Sequence, residues 1–229
     1  MNIDWYILSW IQDNLRCIFL DWLMPLISAL GNGGAVWLAA AAVLLCFRKY
    51  RRYGVLLLMG LAAGVLVGNL CLKNIVARPR PCWLDTTVQL LISSPDDYSF
   101  PSGHTLSSTI AAVILTSADR RFGYAAIPLA ALIAFSRLYM YVHFPSDVAG
   151  AAGIGLLLAF AVLRFGGRAL DAAGERLREK TGAGNRARPR CHLRRACSRG
   201  LRTSAACMRA IAPDGVHRAQ CAEHDQQGR

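Results

Sequence analysis

A chain of 229 residues, 54% hydrophobic and 17% charged, is long enough for one domain of ordinary size and too apolar for a typical soluble one. Its formal net charge of +12 sits mostly in two short loops and the C-terminal tail. That distribution suits anionic lipid headgroups and points away from a dedicated nucleic-acid fold.

Residues 1–16 predict an amphipathic helix at the membrane interface. Ile3, Tyr6, Ile7, Trp10, Ile11 and Leu15 fall on one stripe, with Trp5 and Trp10 at headgroup level; packing of the same stripe on the protein's own bundle is the alternative. The N-terminus (Asn2, Ile3, Asp4) lacks a basic region, so no cleavable signal peptide is expected.

Six hydrophobic segments follow, approximately 17–30, 35–47, 53–74, 103–118, 122–142 and 146–165. The third, fifth and sixth have spanning length, while the second and fourth are short for it. The expected fold class is therefore all-α: a polytopic membrane helix bundle of six transmembrane helices behind the interfacial helix. Gly31-Asn32-Gly33-Gly34 reads as a tight turn between the first two segments. Gly60, Gly64 and Gly68 repeat every four residues, which lets a neighbouring helix approach closely.

Six spans would place the basic loops 48–52 and 120–121 and the arginine-rich tail on one side, the cytoplasm by the positive-inside rule. Both termini would then be cytoplasmic, in an inner (plasma) membrane, and the polar clusters described next would share the outer face. Residues 167–229 read as a basic tail, a short helix to about residue 180 and disorder beyond. Cys191, Cys197, Cys207 and Cys221 lie there at irregular spacings. Without a Cys-x-x-Cys pair they make a poor zinc site, even with His192 and His217 nearby.

Three polar clusters interrupt the apolar segments. In the first, Lys73 ends a span, and Pro79 and Pro81 alternate with Arg78 and Arg80. The prolines stiffen this stretch so that it presents its cations; a snorkelling membrane anchor is the plainer explanation of Lys73. In the second, Pro101-Ser102-Gly103-His104 opens a helix. Ser102 is expected as N-cap, and the free N–H groups welcome an anion. In the third, Arg137, His143 and Asp147 stand together. Pro145 implies that His143 ends one segment and Asp147 lies in the first turn of the next. The carboxylate can then accept a hydrogen bond from one imidazole nitrogen and leave the other as a nucleophile. A helix-capping Asp beside an interfacial His is the alternative. A metal site of His104, His143 and Asp147 fits poorly, because Lys73, Arg80 and Arg137 repel a divalent ion and attract phosphate.

The order lysine, six residues, Arg-Pro; then Pro-Ser-Gly-His; then Ser-Arg, five residues, His, three residues, Asp resembles the type 2 phosphatidic acid phosphatase superfamily, whose fold is shared with vanadium haloperoxidases. All three motifs match, and the resemblance covers about residues 1–166. It implies catalytic roles for three residues. His143 is the nucleophile that forms a phosphohistidine, Asp147 orients it, and His104 protonates the leaving group and then activates water. It implies phosphate binding by Lys73, Arg80, Ser102, Gly103 and Arg137. Arg78 neighbours the motif, but only Arg80 has the matching spacing. No metal or other cofactor is implied. The expected partners are a lipid phosphate substrate and the bilayer, with no nucleic acid. The small bacterial members it resembles imply undecaprenyl diphosphate as substrate; phosphatidylglycerophosphate or phosphatidic acid is the second choice. A binder that does not hydrolyse has no need of two histidines, and haloperoxidase relatives are soluble. Residues 82–100 are expected to form a cap loop over the lipid's access route.

Overall fold

The computed structural model describes residues 3–180; the expected disorder and the cysteine-rich part of the tail lie outside them. The described residues are helical, with no strand among them. Helices α1 (Ile3–Leu15), α2 (Ile18–Leu30), α3 (Ala35–Cys46) and α4 (Arg51–Gly64) come first. A π-helical stretch, Val65–Leu72, continues α4 into the short α5 (Lys73–Val76). After α6 (Pro81–Leu84) and an irregular loop come α7 (Gly103–Ala118), α8 (Arg120–Tyr139), α9 (Pro145–Ala161) and α10 (Gly167–Lys180).

Helix α7 is the centre of the bundle and packs against α4, α8 and α9. Its Leu106, Ile110, Ala111 and Ile114 are buried, and the glycine repeat of α4 explains the closeness. A methyl group on Gly60 would lie 2.7 Å from Ile110, and one on Gly68 would lie 2.3 Å from Leu106. The close approach expected from the sequence is therefore made, and the approaching helix is α7. Trp37 of α3 donates its indole N–H to Ser108 Oγ of α7 at 2.9 Å. That bond satisfies two buried polar groups at a helix crossing. On the outside Ile18, Phe19, Leu70, Leu157 and Phe160 are exposed. So much unburied apolar surface marks a lipid-facing belt.

Three stretches are long and apolar enough to cross a membrane: Arg51–Leu84, Arg120–Tyr139 and Pro145–Leu177. The pair α2 and α3, joined at a bend of 45°, adds a fourth if it counts as one span. Helix α7, at 16 residues, falls below the length of an independent span, because packing on all sides serves it in place of lipid. The reading of α2 and α3 as two separate spans is thereby revised. Gly31–Gly34 bends the chain instead of reversing it. Gly33 (φ 57°) and Gly34 (φ 72°) both adopt the left-handed conformation, in which a β-carbon is unfavourable.

This bend decides where the N-terminus lies. Helix α1 packs beside the C-terminal end of α8, with Gln12 donating to the Tyr139 carbonyl at 2.9 Å. Tyr139 Oη accepts from the Cys17 backbone N–H at 3.3 Å and donates to Asp21 at 2.7 Å. Asp4 pairs with Arg78 of the first polar cluster at 2.8 Å. The N-terminal helix thus lies at the same end of the bundle as the polar clusters, which corrects the expectation that it occupies the opposite face. Leu8 and Ile11 of α1 are buried while Ile3, Tyr6 and Trp10 are exposed. The helix therefore shows apolar surface both to the bundle and away from it.

Candidate active site

The three clusters converge on one cavity of about 660 Å³, lined by Lys73, Arg80, Gly103, His104, Arg137 and His143. Apolar side chains of α3, α4 and the π-helical stretch, including Leu38, Leu58 and Val65, also line it. A lining that combines cations with apolar side chains matches an amphiphile with a phosphorylated head.

Lys73 and Arg80 are nearly inaccessible, at 7% and 2% exposure, so each needs an anionic or carbonyl partner. The backbone that aims them is fixed: α5 stops at Ala77, whose φ is +47°, and Arg80 is extended between two prolines. Arg80 donates through Nη1 to the Val142 carbonyl at 2.7 Å and through Nε to the Asp97 carbonyl at 2.6 Å. Its Nη2 meets the Asp97 carboxylate at 2.5 Å, and Lys73 Nζ bonds the same carboxylate. Burial tends to raise the Asp97 pKa, but the two cations outweigh it and pull the value down to about 2. Sequence reasoning foresaw an anion between these cations but not that the chain carries one of its own, on the cap loop.

Ser102 stands at the N-cap of α7, yet its side chain makes no capping bond. Its hydroxyl accepts from Thr105 Oγ1 at 3.1 Å, so the capping expected from the sequence is absent. Gly103 starts the helix against Asn69, whose Oδ1 would lie 3.2 Å from a β-carbon there. The next residue, His104, has its Nε2 2.9 Å from Asn32 Oδ1. The bend between α2 and α3 thus supplies the partner that holds this imidazole.

Arg137, in the last turn of α8, donates through Nη1 to Ser28 Oγ of α2 at 2.6 Å. Its Nε is buried with no hydrogen-bond partner among the described residues. An unpaired buried guanidinium N–H in a cavity wall is a donor available to an anion.

Asp147 lies in the first turn of α9, as the intervening proline implied, whereas His143 does not end α8, which stops at Tyr139, but lies in the linker after it. Both are buried, at 2% and 0% exposure. The Nε2 atom of His143 faces the cavity, 3.2 Å from Arg80 Nη1. The opposite nitrogen, Nδ1, is 3.9 Å from Asp147 Oδ2, too far for the direct hydrogen bond expected from the sequence. Ser99 stands between them. Its Oγ donates to Asp147 Oδ2 at 2.5 Å and lies 3.4 Å from Nδ1. The same Oδ2 accepts the Phe144 backbone N–H at 2.9 Å. Burial pushes the His143 pKa down; the Asp147 carboxylate opposes this, and Arg80 and Arg137 add to it, leaving it at about 4. The imidazole is therefore neutral at pH 7, and with its proton on Nδ1 the Nε2 lone pair is directed at the Arg80 guanidinium.

Of the eight predicted site residues, six line the cavity. Ser102 and Asp147 stand behind it. Four residues that the motif reading assigned no role complete the site: Asn32, Arg78, Asp97 and Ser99.

The model of the PAP2 superfamily matches residues 52–171, the stretch that carries all three clusters. The chain belongs to the PAP2 superfamily. Among similar PAP2 proteins is an undecaprenyl-diphosphatase of Sulfolobus acidocaldarius, 33% identical over 142 residues, which are 62% of this chain and 68% of that protein. The undecaprenyl-diphosphatase BcrC of Bacillus subtilis is 31% identical, but over 44% of this chain and 51% of its own length. The match to it thus spans about half of that relative. Among solved PAP2 structures, Aquifex aeolicus LpxE superposes with a TM-score of 0.64 at 27% identity, over 72% of this chain and 96% of that one. The PAP2-type phosphatidylglycerolphosphate phosphatase of Bacillus subtilis gives 0.58 at 26% identity, over 73% and 88%. The chain is therefore a membrane-embedded phosphatase of this superfamily.

Proposed function

We propose that this PAP2 phosphatase hydrolyses undecaprenyl diphosphate to undecaprenyl phosphate through a phosphohistidine at His143. The observation that carries the reading is the two-sided setting of that imidazole. Nε2 faces a cation-lined cavity beside Arg80, and Nδ1 faces Ser99 and Asp147. The terminal phosphoryl group is held by Lys73, Arg80 and Arg137 and by the start of α7 at Gly103, which Ser102 supports from behind the cavity wall. Nε2 attacks phosphorus, and the bond to the bridging oxygen breaks. His104 gives a proton to the departing oxygen. It then takes one from the water that attacks the phosphohistidine, which releases inorganic phosphate and restores Nε2. Asp147, acting across Ser99, stabilises the imidazolium formed in between. Phosphoryl transfer of this kind is mainly positioning and charge stabilisation.

The scheme uses no metal: the wall formed by Lys73, Arg80 and Arg137 is suited to phosphate oxygens and repels a divalent cation. The apolar lining of the cavity fits a prenyl or acyl tail, and the relatives named undecaprenyl-diphosphatase favour the prenyl one. A phosphatidylglycerophosphatase B of Bacillus subtilis, 28% identical over 156 residues, together with the related solved structure, favours phosphatidylglycerophosphate or phosphatidic acid as the second reading.

The chain crosses an inner (plasma) membrane in five passes: the broken α2–α3 pair, α4 with its π-helical extension, α7, α8 and α9. The Arg-rich turn before α4, Arg120–Arg121 and the tail then face the cytoplasm. The site and α1 lie on the outer face. Purified protein is to be assayed against undecaprenyl diphosphate, phosphatidylglycerophosphate and phosphatidic acid side by side in the presence of a chelator. Fastest release from the diphosphate, unaffected by chelator, supports the proposal. Fastest release from a glycerolipid selects the second reading, and loss of all activity on chelation rejects the metal-free scheme.

A further inference from the structure

Arg78 lies outside the motif residues and does not line the cavity. Yet its side chain joins three elements. Nη1 donates to Asp147 Oδ1 at 2.6 Å and to Ser146 Oγ at 2.7 Å. Nη2 donates to Asp4 Oδ2 at 2.8 Å. The guanidinium carbon stands 4.2 Å over the Phe144 ring, which fixes the plane of the group. Its backbone takes part as well, since the Arg78 carbonyl accepts the Ser99 N–H at 2.9 Å. Arg78 and Arg80, one proline apart, thus reach opposite sides of one imidazole. Arg80 meets Nε2, and Arg78 meets the carboxylate on the Nδ1 side.

Asp147 is fully buried. Among the described residues its ion-pair partners are Arg78 at 2.6 Å and His143 at 3.9 Å. At pH 7 His143 is neutral, so Arg78 carries the counter-charge. A buried carboxylate without one is strongly disfavoured. The contacts also divide the carboxylate. Arg78 takes Oδ1, while Ser99 and the Phe144 N–H take Oδ2. Held at both oxygens, the group cannot rotate, and Oδ2 stays aimed at Nδ1. Arg78 is balanced in turn by Asp4, which also accepts from the Ser146 backbone N–H at 3.0 Å and from Ser146 Oγ at 2.6 Å. The charges alternate inward from the N-terminal helix: Asp4 negative, Arg78 positive, Asp147 negative, then the imidazole that turns cationic when phosphorylated.

We propose that Arg78 is a positioning residue for phosphoryl transfer, holding Asp147 in register behind His143 and tying it to helix α1 through Asp4. This rests on the reading of His143 as nucleophile with Asp147 behind it. A neutral Arg78→Met variant loses a charge-assisted bond to Asp147, and kcat falls about 10- to 100-fold. KM changes less than about threefold, because the cavity wall is untouched. Arg78→Lys keeps the charge but cannot bridge two carboxylates and stack on Phe144. It recovers part of the lost kcat. Asp4→Asn lowers kcat only slightly and raises proteolytic cleavage near α1.

The test is a double-variant cycle of Arg78→Met and Asp147→Asn, assayed for phosphate release and for binding of orthovanadate as a reporter of the intact cavity. Vanadate binding is expected to persist in both single variants. The combined variant is expected to have a kcat no lower than Asp147→Asn alone, because Arg78 acts through that carboxylate. A normal kcat in Arg78→Met, or fully multiplicative losses in the combined variant, overturns the role of Arg78. A normal kcat in Asp147→Asn instead overturns the underlying reading of Asp147. If Arg78→Met abolishes vanadate binding, Arg78→Lys decides: wild-type KM with reduced kcat sustains the proposal, and a raised KM with normal kcat refutes it.

Discussion

Gly31→Ala is a test of His104 that leaves His104 itself in place. A β-carbon on residue 31 would lie 2.6 Å from His104 Cδ2 and 3.0 Å from Ile133 Cγ2. Carbon atoms prefer separations of about 3.5–4.0 Å, so one partner must retreat by about 1 Å. Ile133 is fully buried, and the Ser28 carbonyl lies 3.3 Å away on another side. The imidazole faces the cavity and is the group that yields. Gly31 has φ −85° and ψ −9°, a right-handed conformation open to alanine, so the backbone adds no penalty. A 1 Å misplacement of a catalytic group costs about 10²-fold in rate, whereas overpacking costs at most about 1–3 kcal/mol of stability. The assay compares an alkyl phosphate monoester lipid with p-nitrophenyl phosphate. The first needs a proton on its leaving oxygen, and the second barely does. The lipid reaction is expected to slow about 10²-fold while the aryl reaction slows much less, with the protein still folded and its Tm lowered by several degrees at most. Equal losses on both substrates, or none on either, would refute the assignment of His104 as proton donor.

Asp97→Asn removes the carboxylate that shares Lys73 and Arg80, so KM and the inhibition constant for inorganic phosphate are expected to fall severalfold; a rise in both would show that Asp97 assists binding. Ser99→Ala deletes a buried bond to a charged acceptor and is expected to cost about 1.5–3 kcal/mol in kcat/KM; unchanged kinetics would mean that Asp147 reaches Nδ1 unaided. Because His143 is pushed down to about 4, the free enzyme keeps its nucleophile neutral throughout the range above that value. The acid limb of kcat/KM should therefore lie well below the ordinary histidine value of about 6.5, and a limb at 6.5 would place His143 in a wetter setting. Gly68→Ala sets a methyl 2.3 Å from the buried Leu106 and is expected to destabilise by about 1–3 kcal/mol, read as a lower Tm in detergent.

The eight motif residues were legible because each cluster is local: fixed spacings at the ends of apolar segments place them without any knowledge of packing. The packing partners are a different matter. Ser99 lies 48 residues from Asp147, and Arg78 lies 74 from Asp4. No spacing rule links such pairs; only the folded bundle brings them together. Asp97 looked like an ordinary loop acid, and its grip on two buried cations depends on where the cap loop lands. The bend at Gly31–Gly34 was legible as a break but not as a direction. Glycines at positive φ allow a reversal and a 45° bend alike, and the docking of α2 along α8 selects the bend.

The central claim is a covalent bond between phosphorus and Nε2 of His143. Protein mixed with terminally ³²P-labelled undecaprenyl diphosphate and quenched in alkali within milliseconds is expected to carry label on the peptide containing residue 143, stable to base and lost in acid, and His143→Ala is expected neither to label nor to turn over. Label on another residue, or turnover by His143→Ala at the wild-type rate, would contradict the account.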